Sequence, residues 1–264
     1  MKLWASALLL SVFAFTAFGA EDEGCSANHS HSWWGNTENF AQSRQERLPN
    51  AAVNYVDPGQ NGSIRVHGWS NSDVLVKACI QTSAPSEEEA RDLAAKVKIT
   101  KGAGHIEASG PANHDGRNWS VSYEVWMPAA SEAKLEAYNG SIAVDDLQGR
   151  LRFHTLNGSV RLVDVGGDVE GETTNGSVNV SVAHGGHYSG GLRVETTNGS
   201  VKLELPADFA ARVEASTVNG SIRTDFPITV SGEIGKHLSF TLGSGGPAID
   251  AKTINGSIHI TRKA

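Results

Sequence analysis

Residues 191–206 read GLRVETTNGSVKLELP and combine two runs of alternating hydrophobic residues with an Asn-Gly turn. Leu192 and Val194 alternate with polar residues before the turn, and Val201 and Leu203 do so after it. A period of two is the pattern of a half-buried β-strand. The alternation shifts by one residue across the Asn-Gly pair, so the chain turns there and starts a second strand.

The tetrapeptide NGSI or NGSV occurs seven times in the chain. A Thr stands two residues before the Asn in five of these copies. Recurrence of a motif together with its flanks indicates one structural unit repeated along the chain. The copies begin at Asn61, Asn139, Asn157, Asn175, Asn198, Asn219 and Asn255.

Two architectures explain this strand–turn–strand unit. An Asn-Gly turn between alternating strands is a strong hairpin signal, which would give an antiparallel β-meander or sandwich. A β-solenoid of coils of about 20 residues would instead place equivalent residues above one another. The Thr and the Asn share the inward parity of the aliphatic residues, and stacking lets each Asn hydrogen-bond its copies. We therefore favour an all-β solenoid with an inward-facing ladder of the seven asparagines and corner glycines at positive φ.

One helix interrupts the β pattern. Ser86-Glu87-Glu88-Glu89 matches a capping box, and small or apolar residues follow it at helical spacing. This predicts a short amphipathic helix over about residues 86–98. The insertion Phe226 to Pro247 contains HLSFTL and predicts an extra hairpin. We interpret residues 51–264 as a single β-strand-repeat domain.

The first 50 residues form two segments. Residues 1–20 combine a short basic start, an apolar run and small residues at the end, which is the pattern of a secretory signal peptide. Residues 21–50 contain few aliphatic side chains and predict a flexible leader. Cys25 and Cys79 are too few for a disulfide framework. In an oxidising compartment they can form one disulfide, and two free thiols are the alternative.

Charge and motif content narrow the classes of function. The chain carries 22 basic and 29 acidic residues, a net charge of −7, which disfavours nucleic acid as a partner. No P-loop, GxSxG, HExxH or CxxC pattern occurs, so we expect no catalytic residue, no cofactor and no metal site. Glu172 and Glu195 lie on outer positions of neighbouring repeats and come nearest to the carboxylate pair of a glycosidase. The other interpretation of these positions is a solvated, charge-paired surface.

The chain resembles a family of exported bacterial β-strand-repeat domains that is catalogued under the names putative adhesin and domain of unknown function. The resemblance covers about residues 50–262. It implies a right-handed β-helix-like fold and a surface or envelope role, and it supplies no catalytic residues. The residues that carry it are Gly62–Val66 with Gly68-Trp69, the helix after a "V.V.A" strand, Trp119–Val121 leading to Met127-Pro128, and the "A.T.NGSI.I" unit that ends at Ile260.

Together these patterns predict a non-enzymatic exported protein for adhesion, scaffolding or interaction with the cell envelope. The expected location is the periplasm, the cell surface or the extracellular space. The expected partner is an envelope protein or glycan, with no transmembrane span once the signal is removed. A carbohydrate-active enzyme on a β-helix scaffold is the first alternative, and a partner in envelope-stress regulation is the second.

Overall fold

The computed structural model describes residues 25, 37–50, 53–102, 104–183, 190–228 and 235–263. In these ranges the one helix, α1, spans Glu87–Lys96. The strands of the first half are β1 (Glu38–Pro49), β2 (Tyr55–Asp57), β3 (Ile64–Trp69), β4 (Asp73–Ala84), β5 (Lys98–Gly102), β6 (His105–Ser109), β7 (Asn118–Pro128), β8 (Ala133–Asn139) and β9 (Ile142–Asp145). Those of the second half are β10 (Leu151–Asn157), β11 (Val160–Val165), β12 (Val169–Asn175), β13 (Val178–Val182), β14 (Leu192–Asn198), β15 (Val201–Pro206), β16 (Ala211–Asn219), β17 (Ile222–Thr224), β18 (His237–Leu242), β19 (Ala248–Asn255) and β20 (Ile258–Lys263).

The described strands form two ten-stranded sheets. Sheet A has the order β1-β4-β7-β3-β9-β11-β13-β15-β20-β17. Sheet B has the order β18-β16-β19-β14-β12-β10-β8-β2-β6-β5. Inward side chains of both sheets meet in one continuous hydrophobic core, because every second residue of the repeat strands is aliphatic.

Each NGS copy joins a strand of sheet B to the next strand of sheet A, as β14 is joined to β15 around Asn198. Equivalent strands of different repeats pair in parallel and in register, so that Thr173 lies beside Thr196 and Asn175 beside Asn198. The predicted all-β fold with one helix is confirmed. The antiparallel meander is wrong, because neighbouring repeats pair by parallel strands.

The repeats do not stack in simple chain order. The C-terminal repeat, β19 and β20, lies between the repeat β14–β15 and the repeat β16–β17. The insertion before it makes this possible, since β18 pairs antiparallel with the far edge of β16 and leads the chain back. The predicted extra hairpin therefore appears as a strand that covers the edge of sheet B, while residues 229–234 lie outside the described residues.

The N-terminal segment corrects the prediction of a flexible leader over residues 21–50. Glu38–Pro49 forms β1, which pairs antiparallel with β4 along its whole length. Its few aliphatic residues suit an edge strand, because charged side chains protect an open sheet edge. The proposed signal peptide, residues 1–20, lies outside the described residues.

Helix α1 confirms the predicted amphipathic helix, with bounds one to two residues inside the predicted ones. The Ser86 hydroxyl accepts a hydrogen bond from the backbone N–H of Glu89, which caps the helix start. Ala90, Leu93 and Ala94 are buried. The Thr82 hydroxyl on β4 donates to the Ala90 carbonyl at 2.7 Å. The helix is thereby fixed to the end of sheet A formed by β1 and β4.

Candidate functional site

The structure brings all seven candidate asparagines together at one corner between the sheets. Six of the seven side-chain amides donate to the amide oxygen of a neighbouring repeat, at 2.8 to 3.0 Å, and Asn61 at the end of the row accepts. The resulting ladder follows the stacking order and not the chain order. It runs through Asn61, Asn139, Asn157, Asn175, Asn198, Asn255 and Asn219.

The side chains of this ladder are not buried, which corrects the inward placement drawn from their parity. Six of the seven residues are exposed, and Asn61 is half-buried. Six of them are the last residues of their sheet B strands, and Asn61 lies beyond the end of β2. The chain begins to turn there, so strand alternation no longer decides the environment. Water competes for the amides at this edge, and the ladder therefore contributes less to stability than a buried one would.

Five of the seven units carry a threonine two residues before the Asn, and its burial explains the Thr-x-Asn-Gly pattern. The Thr196 hydroxyl donates to the carbonyl of Gly176 in the neighbouring repeat at 2.7 Å. The other four make the same bond, at 2.8 to 3.0 Å. A buried hydroxyl and a corner carbonyl thus satisfy each other across every interface between the repeats concerned.

The corner glycines are required by close stacking. The prediction of positive φ at the corner glycines is wrong for six of the seven, including Gly176 and Gly199. Among the glycines of the seven NGS copies, Gly62 alone has a positive φ, at 147°. A Cβ added at Gly176 would lie 2.1 Å from the carbonyl oxygen of Gly158. Only glycine allows the backbones of adjacent corners to approach this closely.

Cys25 and Cys79 form a disulfide with a Cα–Cα distance of 5.4 Å. Cys79 lies in β4, on the outer face of sheet A. The bond ties the chain before β1 to the sheet. It also lines one end of a groove of about 480 Å³ in this face.

A second groove, of about 420 Å³, crosses four strands on the outer face of sheet B. Its walls are two rows of in-register side chains that differ in charge. One wall holds three cations and one carboxylate: Lys134, Arg152, Glu170 and Arg193. The other holds three carboxylates and one histidine: Glu136, His154, Glu172 and Glu195.

Ion pairs neutralise much of this sheet B groove. Lys134 and Glu136 meet across it at 2.7 Å. This hydrogen bond is the main reason why the pKa of Glu136 lies below its ordinary value. Tyr55 also donates to Glu136, at 3.0 Å, and burial raises the pKa of that phenol. The walls can therefore bind charged ligand groups only in competition with internal partners.

The structure places Glu172 and Glu195 side by side on adjacent strands, as the sequence predicts for their repeats. Glu172 pairs with His154 at 3.2 Å, and Glu195 with Lys252 at 3.6 Å. Both carboxylates belong to the same wall. A glycosidase needs its two carboxyl groups on either side of the scissile bond, so a chain lying along this groove would meet both from one side.

Metal-ligating clusters and membrane-spanning helices are both absent from the described ranges. No three His, Cys, Asp or Glu side chains there are arranged to hold a metal ion. None of the helical segments in the same ranges has the length and apolar character needed to cross a membrane.

Comparison with protein families identifies the relatives of this arrangement. The profile of the family described as Toastrack DUF4097 matches residues 59–261. The chain belongs to this family. The Toastrack match spans the stacked repeats and the helix, and it begins just before the first NGS copy. No curated protein matches the chain.

Several solved structures resemble this Toastrack chain. One is named "putative cell adhesion protein", from Clostridium sporogenes; it has 18% identity and a TM-score of 0.48, and the match covers 84% of this chain and 100% of that one. A "putative adhesin" from Bacteroides fragilis has 10% identity and a TM-score of 0.30, covering 85% and 97%. A "putative lipid binding protein" from Parabacteroides distasonis has 11% identity and a TM-score of 0.33, covering 88% and 98%.

Proposed function

We propose that the chain is an exported, right-handed β-solenoid that binds components of the cell envelope and catalyses no reaction. The observation that carries this proposal is the outer surface of the two sheets. It consists of in-register rows of exposed side chains, and its sheet B groove is open and charge-paired. An extended face of this kind suits adhesion or scaffolding. The names of the similar adhesin structures agree with that role.

Two features support export. The first 20 residues have the pattern of a signal peptide. The Cys25–Cys79 disulfide persists in oxidising compartments such as the periplasm or the extracellular space. Fractionation of cells and N-terminal sequencing test this part: we expect mature protein outside the cytoplasm that begins near residue 20. Full-length protein in the cytoplasmic fraction would contradict export.

Binding and catalysis can be separated with one pair of variants. Purified protein would be mixed with envelope preparations in a sedimentation assay and, in parallel, with a panel of envelope glycans in a reducing-end assay. We expect sedimentation with the envelope and no release of reducing ends. Glu172→Gln and the control Glu214→Gln, an exposed carboxylate outside the groove, should behave as the wild type does.

A carbohydrate-active enzyme is the second candidate, because the groove holds Glu172 and Glu195 within one open cleft of about 420 Å³. Turnover by the wild type that Glu172→Gln abolishes and Glu214→Gln leaves unchanged would establish the enzyme. That result would overturn the non-enzymatic proposal.

A further inference from the structure

The outer face of sheet A carries a row of cations along the stacking axis. Arg65, Arg161, Lys202 and Arg223 occupy the same register position on strands β3, β11, β15 and β17. Ala143, Asn179 and His259 fill this position on the strands between them. A cation therefore stands on every second strand, and successive cations are about 10 Å apart, twice the strand spacing of ~4.8 Å.

Three of these four cations lack an ion pair within the part of the chain that the structure describes. Arg65, Arg161 and Arg223 are exposed and contact no carboxylate in the described ranges at salt-bridge distance. Glu124, the register partner of Arg65, bonds instead to His67 at 3.0 Å. On sheet B, in contrast, Arg152 and Arg193 both lie near carboxylates. The fourth cation, Lys202, pairs with Glu204 at 2.6 Å. The row is thus a positive stripe, with three unpaired cations among the described residues, on a protein of net charge −7.

A row of serine hydroxyls runs beside the cations, two residues earlier on each strand. Most of these oxygens accept a hydrogen bond from the backbone N–H of the next serine, at 3.2 to 3.3 Å. Accepting this bond does not use the O–H of the serine, which can still donate to a ligand. At the end of the row, the hydroxyls of Ser221 and Ser257 bond each other at 3.2 Å. The row contains Ser122, Ser63, Ser141, Ser159, Ser177, Ser200, Ser257 and Ser221.

The groove of about 480 Å³ lies where these two rows begin. Ser63, Ser122 and Ser141 line it on the serine side. Arg65, Lys77 and Glu124 line it at the register of the cation row, and Glu124 is the carboxylate bonded to His67. The Cys25–Cys79 disulfide lies at the end near β4. A cleft bordered by hydroxyl donors and a guanidinium, continuous with a positive stripe, offers a path for an extended anionic chain.

We infer that this face of sheet A binds a linear acidic polysaccharide whose carboxylates recur about every 10 Å. One carboxylate on every second sugar would meet one cation per two strands, and the serine hydroxyls would bond sugar oxygens between them. Nucleic acid fits poorly, because its phosphates recur about every 3.4 Å along a B-form strand. The inference rests on the proposed binding function and gives one face of the protein a ligand class.

Binding of defined oligosaccharides to the full mature chain tests the inference. Hyaluronan oligomers carry one carboxylate on every second sugar, and chitin oligomers of equal length are neutral. We expect hyaluronan octasaccharide to bind at low salt, more weakly as salt rises, and the chitin oligomer not to bind. Replacing Arg65, Arg161 and Arg223 together by Gln should weaken hyaluronan binding about 30-fold, about 3-fold for each exposed ion pair lost.

The matched control replaces Arg152, Arg193 and Arg212 by Gln, which removes the same charge from sheet B. This variant should bind hyaluronan within about 2-fold of the wild type, the scatter of weak surface pairs. Equal loss in both triple variants, equal binding of the chitin oligomer, or tighter binding of poly(dT) than of hyaluronan would overturn the inference. Binding to envelope preparations without binding to hyaluronan would refute the inference alone; absence of both would also refute the proposed function.

Discussion

Replacing Gly176 with alanine is expected to lower the free energy of unfolding by about 3 kcal/mol. The added Cβ would lie 2.1 Å from the carbonyl oxygen of Gly158, whereas real Cβ atoms stay at least 3.0 Å from such atoms, so the two corners must separate by 3.0 − 2.1 = 0.9 Å. The obstructing atoms are backbone, and no rotamer change can relieve the contact.

Two effects make up this magnitude. Overpacking a well-packed site costs about 1–3 kcal/mol. Separating these two corners also lengthens the backbone hydrogen bonds that join them, such as the one from the Gly158 N–H to the Asn175 carbonyl at 3.1 Å, each worth ~0.5–1.5 kcal/mol net. For a domain of this size about 3 kcal/mol corresponds to a fall in Tm of about 10 °C.

Gly102→Ala is the matched control for this experiment. Gly102 ends β5, a Cβ there would meet nothing within 4 Å, and its φ lies outside the left-handed region. Thermal unfolding followed by circular dichroism should show a large decrease in Tm for Gly176→Ala and almost none for Gly102→Ala. Equal Tm values for the two variants would refute the explanation by close stacking.

Three further outcomes are expected. Asn198→Ala removes two ladder bonds and should lower the free energy of unfolding by about 1 kcal/mol. Asn219→Ala, at the end of the ladder, removes one bond and should lower it by about half as much. Urea unfolding measures both values, and equal values would contradict the ladder. Because the pKa of Glu136 is lowered below its ordinary 4.5, its contribution is complete above that pH and disappears as the pH falls through the lowered value. The Tm difference between wild type and Glu136→Gln should therefore vanish at low pH, and a difference constant from pH 7 to pH 2 would contradict this. Reducing the Cys25–Cys79 disulfide should lower the free energy of unfolding by about 2–4 kcal/mol. If urea unfolding is the same with and without dithiothreitol, this prediction is wrong.

The repeat unit and its register could be predicted from local pattern, because alternation and a recurring corner motif both reflect short-range geometry. The parallel pairing of Thr173 with Thr196 follows directly from their equal places in the motif. The same logic placed Glu172 beside Glu195. Their equal places, three residues before the Asn, also put both carboxylates in one row. The sequence could not show that a groove separates this row from the neighbouring row of cations.

Other features depend on contacts that no local pattern reveals. The motif is the same in every repeat, so it does not indicate which repeats are neighbours. The position of β19 and β20 between two earlier repeats depends instead on the insertion at residues 226–247 that precedes them. The polar composition of β1 resembles a flexible leader, because an edge strand needs few aliphatic residues. The serines of the NGS motif recur as regularly as its asparagines. This recurrence would have been enough to predict the row of serine hydroxyls on the outer face of sheet A.

Cross-linking of engineered cysteine pairs tests the stacking order most directly. Ser200 and Ser257 are neighbours in the serine row, joined by a 3.3 Å hydrogen bond, while Ser221 lies one strand beyond Ser257. The account predicts that oxidised Ser200→Cys/Ser257→Cys protein forms the new disulfide and that Ser200→Cys/Ser221→Cys protein does not, because about two strand spacings exceed disulfide reach. Cross-linking of the second pair without the first would show that the repeats stack in chain order and would contradict the account.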